Sequence, residues 1–456
     1  MLKQLPRKTL ILFVGDVLFI IASFYLSYAI RQWEFVDVFS TFTGASILSL
    51  FIFIFVFYIA DVYNLEGKFY RINNIIKIAI TITIANSLIA GAFYFFHPWR
   101  YSRIVFLLNL LLIFSLMISW RYSFYLLTKY RSKPARILIV GAGSAGRSLY
   151  NCMEGNNNYE IVGFLDDDEK KREMAIGSSK VIGDINNILS IARERSVDGV
   201  VVAITHGISP EIFEKVLSVR SSGVEIYDMP RFYEMITGKI PVLHISDSWL
   251  ACAEFYGIRK NVYNTKIKKV LDKIIAVLGI IVSFPLILVA IIAIKIDSKG
   301  SVFFKQKRVG ENAIMFDIYK LRTMKSSKEY SGAVAGLGKE MMITRVGKIL
   351  RLFRIDEIPQ LWNVIKGDMS LVGPRSLVKE EVDSFSKNVP YFLIRYSMKP
   401  GVTGWAQVNY KHGKKIEDAT EKLQYDLYYI KNHSPILDLH IILKTTKVIL
   451  FGKGAK

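Results

Sequence analysis

The sequence predicts a membrane protein of three folded parts: an α-helical transmembrane bundle, a Rossmann-like α/β domain, and a basic domain that opens with a re-entrant helix hairpin. Three observations predict it. Four apolar stretches fill the first quarter of the 456 residues. A Gly-x-Gly-x-x-Gly turn follows the apolar run Arg136–Val140 (RILIV). A fifth apolar run, Ile274–Ile294, is 21 residues long, has Pro285 near its middle, and is basic at both ends.

Composition agrees. A chain of this length holds more than one domain. Hydrophobic residues make up 52% and mean hydropathy is +0.30, high for a protein without membrane segments. The net charge of +21 suits nucleic acid, anionic lipid or phosphorylated substrates. No zinc-finger spacing or aromatic RNP motif is present, so nucleic acid is not an expected partner. Cys152 and Cys252 lie far apart without metal-ligand spacing and read as ordinary reduced thiols.

The bundle comes first, over 1–133. Its stretches are Leu10–Ile30, Gly44–Ala60, Ile75–Phe96 and Ile104–Leu127, each near the ~20 residues a spanning helix needs. No convincing small-residue cleavage site follows the first, so it is read as a retained helix. The N-terminus (Lys3, Arg7, Lys8), the second loop (Lys68, Arg71, Lys77) and the exit (Lys129, Arg131, Lys133, Arg136) carry ten cations. The other two loops carry three, Arg31, Arg100 and Arg103. The positive-inside rule therefore places both ends of the bundle in the cytoplasm.

The Rossmann-like domain is expected over 134–228. Strands are read at Arg136–Val140, Ile161–Leu165 and Gly199–Ile204, with a helix after the glycine turn. Gly141, Gly143 and Gly146, with Asp166 about 25 residues on, have the context of a dinucleotide fingerprint. They are candidate nucleotide-binding residues, although the same glycines also serve close helix–strand packing. No hydride-transfer constellation such as Tyr-x-x-x-Lys accompanies them. Residues 229–264 read as a linker or connecting segment.

The third domain spans 265–456, with the hairpin at 270–296. Lysines before and after the apolar run disfavour opposite compartments for its two ends. Pro285 removes a helix hydrogen bond, and Ser283 is placed to satisfy a freed carbonyl. A helix–break–helix entering and leaving on the cytoplasmic face is preferred; the alternative is a kinked spanning helix. The last segment, Pro435–Phe451, is amphipathic and basic, which suits a membrane surface.

The chemistry concentrates in Arg351–Arg375, RLFRIDEIPQLWNVIKGDMSLVGPR. Pro359 favours a first helical turn, and Gly367 closes the helix. Asp356 and Glu357 then lie at or before a helix N-terminus, where phosphate is attracted. There an Asp could attack phosphorus or hold Mg²⁺ through oxygen. The bland alternative is a capping Asp with a solvated Glu. Gln306, Lys307, Arg308, Lys320, Arg322, Arg345, Arg351 and Arg375 form a polar and basic set able to screen a diphosphate; the alternative is that they face headgroups or water. His97, His206, His244, His412, His433 and His440 are scattered and read as structural or surface residues.

Phe304–Gly310 (FKQKRVG), Tyr319–Met324 (YKLRTM), Thr344–Arg375 and Lys399–Tyr410 (KPGVTGWAQVNY), with the apolar segment around Ser283–Pro285, resemble the bacterial sugar transferases, the monotopic polyprenyl-phosphate hexose-1-phosphate transferases. With the bundle and the Rossmann-like domain, the chain resembles their long form in exopolysaccharide synthesis. The resemblance implies a mostly α-helical monotopic catalytic domain at the cytoplasmic face of the bacterial inner membrane. It implies transfer of a sugar 1-phosphate from a nucleotide-diphosphate sugar, a UDP-sugar first, to undecaprenyl phosphate, with release of a nucleoside monophosphate. Asp356 would be the nucleophile, Glu357 a metal partner or acid/base, and Mg²⁺ the metal. Arg351 and Arg375 would hold phosphates, and Ser283 and Pro285 would shape the hairpin. The proline usual after Gly-Pro-Arg is Ser376 here, which bears on loop shape and sugar preference. A homodimer is compatible with this reading. Two alternatives stand beside it: a membrane-tethered NAD(P)-dependent nucleotide-sugar oxidoreductase or dehydratase, and a non-catalytic nucleotide-sensing scaffold of polysaccharide assembly.

Overall fold

Long runs rich in Leu, Ile, Val and Phe and free of proline form the first helices. They are α1 (Arg7–Gln32), α2 (Gly44–Ile59), α3 (Ile72–Phe95) and α4 (Arg103–Lys129). The computed structural model describes residues 7–32, 44–60, 62–63, 72–95, 103–129, 134–156, 158–204, 209–325, 343–410 and 416–450. His97, His206, His412 and the loop cations Lys3, Lys68, Arg71, Arg100, Arg131 and Lys133 lie outside these residues. The chain divides into two units, Met1–Lys133 and Pro134–Lys456.

In the first unit, Thr9–Arg31, Ile75–Tyr94 and Ile104–Leu127 are long and apolar enough to cross a membrane, whereas α2 has 16 residues. Ile20, Phe53, Phe57, Ile82, Ile113 and Met117 face one another, while Leu18, Phe51 and Leu111 face outward. Arg121 of α4 pairs with Asp16 of α1 and donates to the Val62 carbonyl at 2.9 Å. A buried charge in an apolar bundle is tolerated only when paired in this way. Asn109 Nδ2 donates to Ser23 Oγ at 3.1 Å, a polar cross-link between the same two helices.

The second unit opens with an α/β sheet. Its strands are β1 (Ala135–Val140), β2 (Tyr159–Leu165), β3 (Ala175–Ile176), β4 (Ser179–Gly183), β5 (Gly199–Val202) and β6 (Glu225–Asp228). The order is β3-β4-β2-β1-β5-β6, parallel throughout except for β3 against β4. The helices α5 (Ser144–Met153), α6 (Ile188–Glu194) and α7 (Pro210–Ser221) connect strands. Both sheet faces are covered by apolar clusters, which is why β1 and β5 read as continuous apolar runs. In the following segment α8 (Met229–Thr237) buries Phe232 against this sheet, and a short α9 (Asp247–Cys252) follows. Ile240 and Val242, between them, join the core of the next domain.

The fifth apolar run forms α10 (Lys268–Asp297), an unbroken 30-residue helix with Pro285 inside. The interruption expected at Ser283–Pro285 is absent. Pro285 frees the carbonyl of Ile281, yet the Ser283 hydroxyl donates to Gly279 O at 2.6 Å rather than to Ile281. That correction has a physical reason: a helical serine reaches back to the i−4 carbonyl. The start, middle and end of α10 all rest on one domain. Lys268 pairs with Asp438 at 2.7 Å, and Asp272 accepts from Ser370 Oγ at 2.6 Å. Leu361 packs against Gly279, and Asp297 accepts from the Val346 amide at 2.9 Å. The opposite face is bare and apolar, with Val282 80% and Val289 64% exposed.

The remaining elements are the antiparallel hairpin β7 (Phe303–Val309) and β8 (Met315–Leu321), then α11 (Arg345–Leu352), a 3₁₀ turn (Ile355–Glu357), α12 (Gln360–Lys366) and β9 (Ser370–Val372). They are followed by α13 (Lys379–Asn388), a 3₁₀ turn (Phe392–Ser397), β10 (Gly401–Thr403), α14 (Trp405–Asn409), α15 (Ile416–Lys431) and α16 (Pro435–Leu450). Their shared core includes Val364, Val372, Phe392, Leu427, Tyr429 and Ile441.

Candidate active site

The acidic pair is shaped by the chain on either side of it. Thr344 caps α11 by accepting from the Gly347 amide at 2.9 Å. Arg354, at φ +55°, turns the chain out of the helix, and Ile355–Glu357 make one tight turn. Pro359 caps α12, and Gly367 ends it in the left-handed region at φ +93°. Asn363 fastens α12 to β8: its Nδ2 donates to Asp317 O at 2.7 Å and its Oδ1 accepts from the Tyr319 amide at 3.2 Å. This puts Lys320, the next residue on β8, against the pair.

The two carboxylates have opposite surroundings. Glu357 is buried, and its Oε1 accepts from Lys320 Nζ at 2.8 Å and from Arg375 Nη2 at 2.9 Å. Arg354 Nη1 lies 3.6 Å from its Oε2. Burial alone would raise its pKa, but Arg375, Lys320 and Arg354 together hold it well below the usual range. Asp356 is half-buried and makes no hydrogen bond or ion pair among the described residues. Burial, and then the charge of Glu357, push its pKa up against Lys320, Arg351 and Arg354. Titratable neighbours driven apart by environment are the signature of divided chemical roles.

The third side of the site is built backbone against backbone. Gly373 donates to Thr403 O at 2.9 Å, and Gly401 donates to Pro374 O at 2.9 Å. A Cβ on Gly401 would collide with the Gly373 amide, and one on Gly404 with the Gly373 carbonyl. Only glycine allows this approach, and it fixes the Gly-Pro-Arg segment that carries Arg375. A tight cleft, of about 10 Å³, lies between Arg308, Lys320, Gln360, Arg375 and Ser376. Burial pushes the pKa of Lys320 down, against the pull of Glu357.

Among the candidate residues, Lys320, Arg375 and Arg308 line this cleft, and Gln306 accepts from Arg308 Nη2 at 2.8 Å beside it. Arg351 Nε donates to Thr323 Oγ1 at 2.9 Å. Arg322 is directed elsewhere, donating to the Ser298 and Lys299 carbonyls at 2.7 Å each, beyond the end of α10. Arg345 and Lys307 are exposed. In the α/β domain, Gly141 sits at φ +107°, and Gly146 packs against its carbonyl. Asp166 Oδ2 accepts from the Ala142 amide at 2.8 Å and from Lys171 at 3.0 Å, and its Oδ1 accepts from the Asp168 amide at 3.1 Å.

Comparison with known proteins gives the lineage. The profile of the bacterial sugar transferases matches residues 263–452, and that of a CoA-binding domain matches residues 58–230. The chain is 39% identical over 233 residues, 51% of its length and 54% of the relative's, to a UDP-N-acetylgalactosamine-undecaprenyl-phosphate N-acetylgalactosaminephosphotransferase of Aeromonas hydrophila. It is 30% identical to a UDP-glucose:undecaprenyl-phosphate glucose-1-phosphate transferase of Xanthomonas campestris pv. campestris, over 70% of this chain and 67% of that one. A protein of the same description from Caulobacter vibrioides is 40% identical over 41% of this chain and 71% of its own. The chain belongs to the bacterial sugar transferase family. It spans about half the length of the first of these relatives.

Two further side chains, not singled out from the sequence, brace the Gly-Pro-Arg segment. Arg395 Nη2 donates to the Arg375 carbonyl at 3.0 Å and pairs with Asp426 at 2.7 Å, both side chains being buried. The signal was available: Asp426 interrupts the apolar side of QYDLYYI, and an isolated acid there requires a cation. Ser376 is buried, and its carbonyl accepts from Arg308 Nη1 at 3.4 Å.

Proposed function

We propose that this protein transfers a sugar 1-phosphate from a nucleotide-diphosphate sugar, a UDP-sugar first, to undecaprenyl phosphate, initiating a polysaccharide. One observation carries the reading: of two adjacent carboxylates, Glu357 is caged by three cations and Asp356 is left unpartnered among the described residues. A nucleophile needs free oxygen lone pairs, and Asp356 has them. Its carboxylate attacks the phosphorus that bears the sugar. The bridging P–O bond breaks, the nucleoside monophosphate leaves, and a phosphosugar remains on Asp356. A phosphate oxygen of the lipid then attacks the same phosphorus and releases the carboxylate. Arg375 and Lys320, anchored by Glu357, neutralise charge on the non-bridging oxygens.

Mg²⁺ fits this donor set. Among the described residues no three His, Cys, Asp or Glu side chains converge, and Mg²⁺ needs only one or two carboxylates with substrate phosphates and water. Asp356 and Glu357 would hold it, and when bound it supplies further charge neutralisation on the diphosphate.

The membrane geometry supports the same reading. Because both ends and the middle of α10 rest on one domain, the helix is read as re-entrant, with the site at the cytoplasmic face of the inner membrane. Ile349 and Leu352 on α11, Phe353 just after it, and Trp362 on α12 are exposed apolar side chains of the same domain. The division proposed is a bundle over 1–133, a Rossmann-like domain over 134–228, a connecting segment over 229–264 and the catalytic domain over 265–456. An oxidoreductase is not adopted, because Asp166, the acid that would hold a ribose, already accepts from Ala142, Asp168 and Lys171. The test is nucleoside monophosphate release with Mg²⁺, undecaprenyl phosphate and a panel of nucleotide sugars, beside Asp356→Asn. Release that needs the lipid and disappears in the variant supports the reading; no release from folded protein with any sugar nucleotide sinks it.

A further inference from the structure

Gln360 is the first residue of α12, and only 3% of it is exposed. Its Nε2 is buried and donates to no atom among the described residues. A buried amide hydrogen without an acceptor is costly, and its presence in a folded protein calls for an explanation. The position of Gln360 supplies one. Ile358 and Pro359 keep right-handed helical angles, so the turn that holds the acidic pair runs on into α12. Gln360 then falls one turn beyond Asp356 and Glu357, on the same face of the chain. From there it lines the tight cleft with Arg308, Lys320 and Arg375. Arg308 brings a second donor without a partner, its buried Nε. The cleft is held together by backbone as well: the Val309 amide of β7 donates to Leu377 O at 2.9 Å, just beyond Ser376.

We infer that Gln360 is a further catalytic residue, whose amide donates to one non-bridging oxygen of the phosphoryl group under attack, in a cleft that admits a single oxygen. The inference rests on the transfer reading above and adds to it an uncharged donor. Size, lining and placement select this occupant. A space of about 10 Å³ takes one water-sized atom, which excludes a sugar ring, a base or a whole phosphate. Arg308, Lys320, Arg375 and the Gln360 Nε2 are all donors. A water would have to place its own two protons among them, whereas an anionic oxygen only accepts. The charge of Glu357, and after it that of Asp356, pulls the pKa of Arg375 up, so the cleft lies within the field of the nucleophile. The three cations already supply charge. An amide adds a directional bond, fixed because Asn363 fastens α12 to β8, that keeps the phosphorus facing Asp356. The amide keeps its proton throughout, so the only bonds made and broken are those of the transfer.

The test uses the full chain in phospholipid nanodiscs with Mg²⁺, undecaprenyl phosphate and the UDP-sugar that supports release, UDP-glucose and UDP-N-acetylgalactosamine being tried first. Gln360→Met removes the donor and keeps the length. Its kcat for monophosphate release should fall about 10²-fold, while the KM for the sugar nucleotide stays near the parent value. It should unfold at or above the parent temperature, because the amide hydrogens it loses pair with nothing in the folded chain. A second variant, Gln360→Ala, reads the size of the cleft. The two β-phosphorothioate diastereomers of the UDP-sugar carry a bulkier sulfur at one or the other non-bridging position. The parent should turn one over at least about tenfold more slowly than the other, as overpacking a closed cleft requires. Gln360→Ala should bring the two rates together. Release by Gln360→Met at the parent rate, or a diastereomer ratio that Gln360→Ala leaves unchanged, overturns the assignment; the ratio alone decides it if Gln360→Met unfolds early. The two readings fail distinguishably: no release by the folded parent sinks the transfer reading and this assignment with it, whereas parent release that both variants leave intact sinks the assignment alone.

Discussion

Exchanging one carboxylate at a time for its amide separates the two acids of the site. Glu357→Gln keeps the shape and removes the charge. Glu357 is 8% exposed, with Lys320 at 2.8 Å, Arg375 at 2.9 Å and Arg354 at 3.6 Å. Breaking a buried ion pair from one side costs about 3–5 kcal/mol. Lys320 and Arg375 keep 19% and 33% of their side chains in solvent, which moves the expected loss to the lower end, about 3 kcal/mol. Asp356→Asn removes a carboxylate that has no hydrogen bond or ion pair among the described residues and whose charged form burial already disfavours. Its effect on stability should lie within about 0.5 kcal/mol of zero. Activity orders the pair differently: Asp356→Asn abolishes monophosphate release, whereas Glu357→Gln retains a residue of it. Glu357 also raises the pKa of Asp356, so its removal should shift the acid limb of the pH–rate profile to lower pH. Thermal or denaturant unfolding of the full chain in detergent, with release assays from pH 5 upward, checks all three. Equal destabilisation by the two variants, or an acid limb that moves up, would refute the division of roles.

Three further outcomes are expected. Arg375→Lys keeps a cation but loses the fork that joins Glu357 to a phosphate, and monophosphate release should fall about 10²-fold at saturating lipid. Arg322→Ala removes the bonds to the Ser298 and Lys299 carbonyls, so unfolding should show a loss of about 1–3 kcal/mol while the KM for the sugar nucleotide is unchanged. Burial raises the carboxyl of Asp438, but His433 and Lys268 more than offset this and hold it at about 2, below its ordinary 3.8. A depressed carboxyl stabilises the fold above the unfolded value, so about 2 kcal/mol should be present above pH 4 and be lost as pH falls toward 2. Asp438→Asn should flatten that part of the unfolding-versus-pH curve, and an unchanged curve would remove Asp438 from the account.

Local signals were legible and distant ones were not. Pro359 and Gly367 bracket α12 because each acts through its own backbone angle, and the structure has both where the sequence puts them. The glycine turn after β1 was readable for the same reason. Which acid is caged was not, because Lys320 comes from a strand 37 positions earlier. Arg322 could not be told from Lys320 by type or by neighbourhood, since one looks toward α10 and the other toward Glu357. Continuity through Pro285 was misjudged: a proline costs one hydrogen bond, and a long apolar helix absorbs that loss more cheaply than it exposes a broken turn.

The placement of Arg375 shows how a short motif depends on distant ones. Gly373 and Gly401 touch through their backbones, so the Gly-Pro-Arg segment has no side-chain slack with which to move. The Arg375 carbonyl is held by Arg395, and Arg395 by Asp426 on α15. The same helix is gripped from the α/β side, where Lys239 donates to Glu421 at 2.5 Å and Glu234 pairs with Lys431. Trp405, directly after the second glycine contact, donates to the Gly238 carbonyl at 2.9 Å. A displacement of the segment after α8 therefore reaches Arg375 through two chains of contacts, one through α15 and one through Trp405. The first chain runs through the ion pairs Lys239–Glu421 and Arg395–Asp426, and the second ends at the approach of Gly404 to Gly373, which leaves no room for a methyl group.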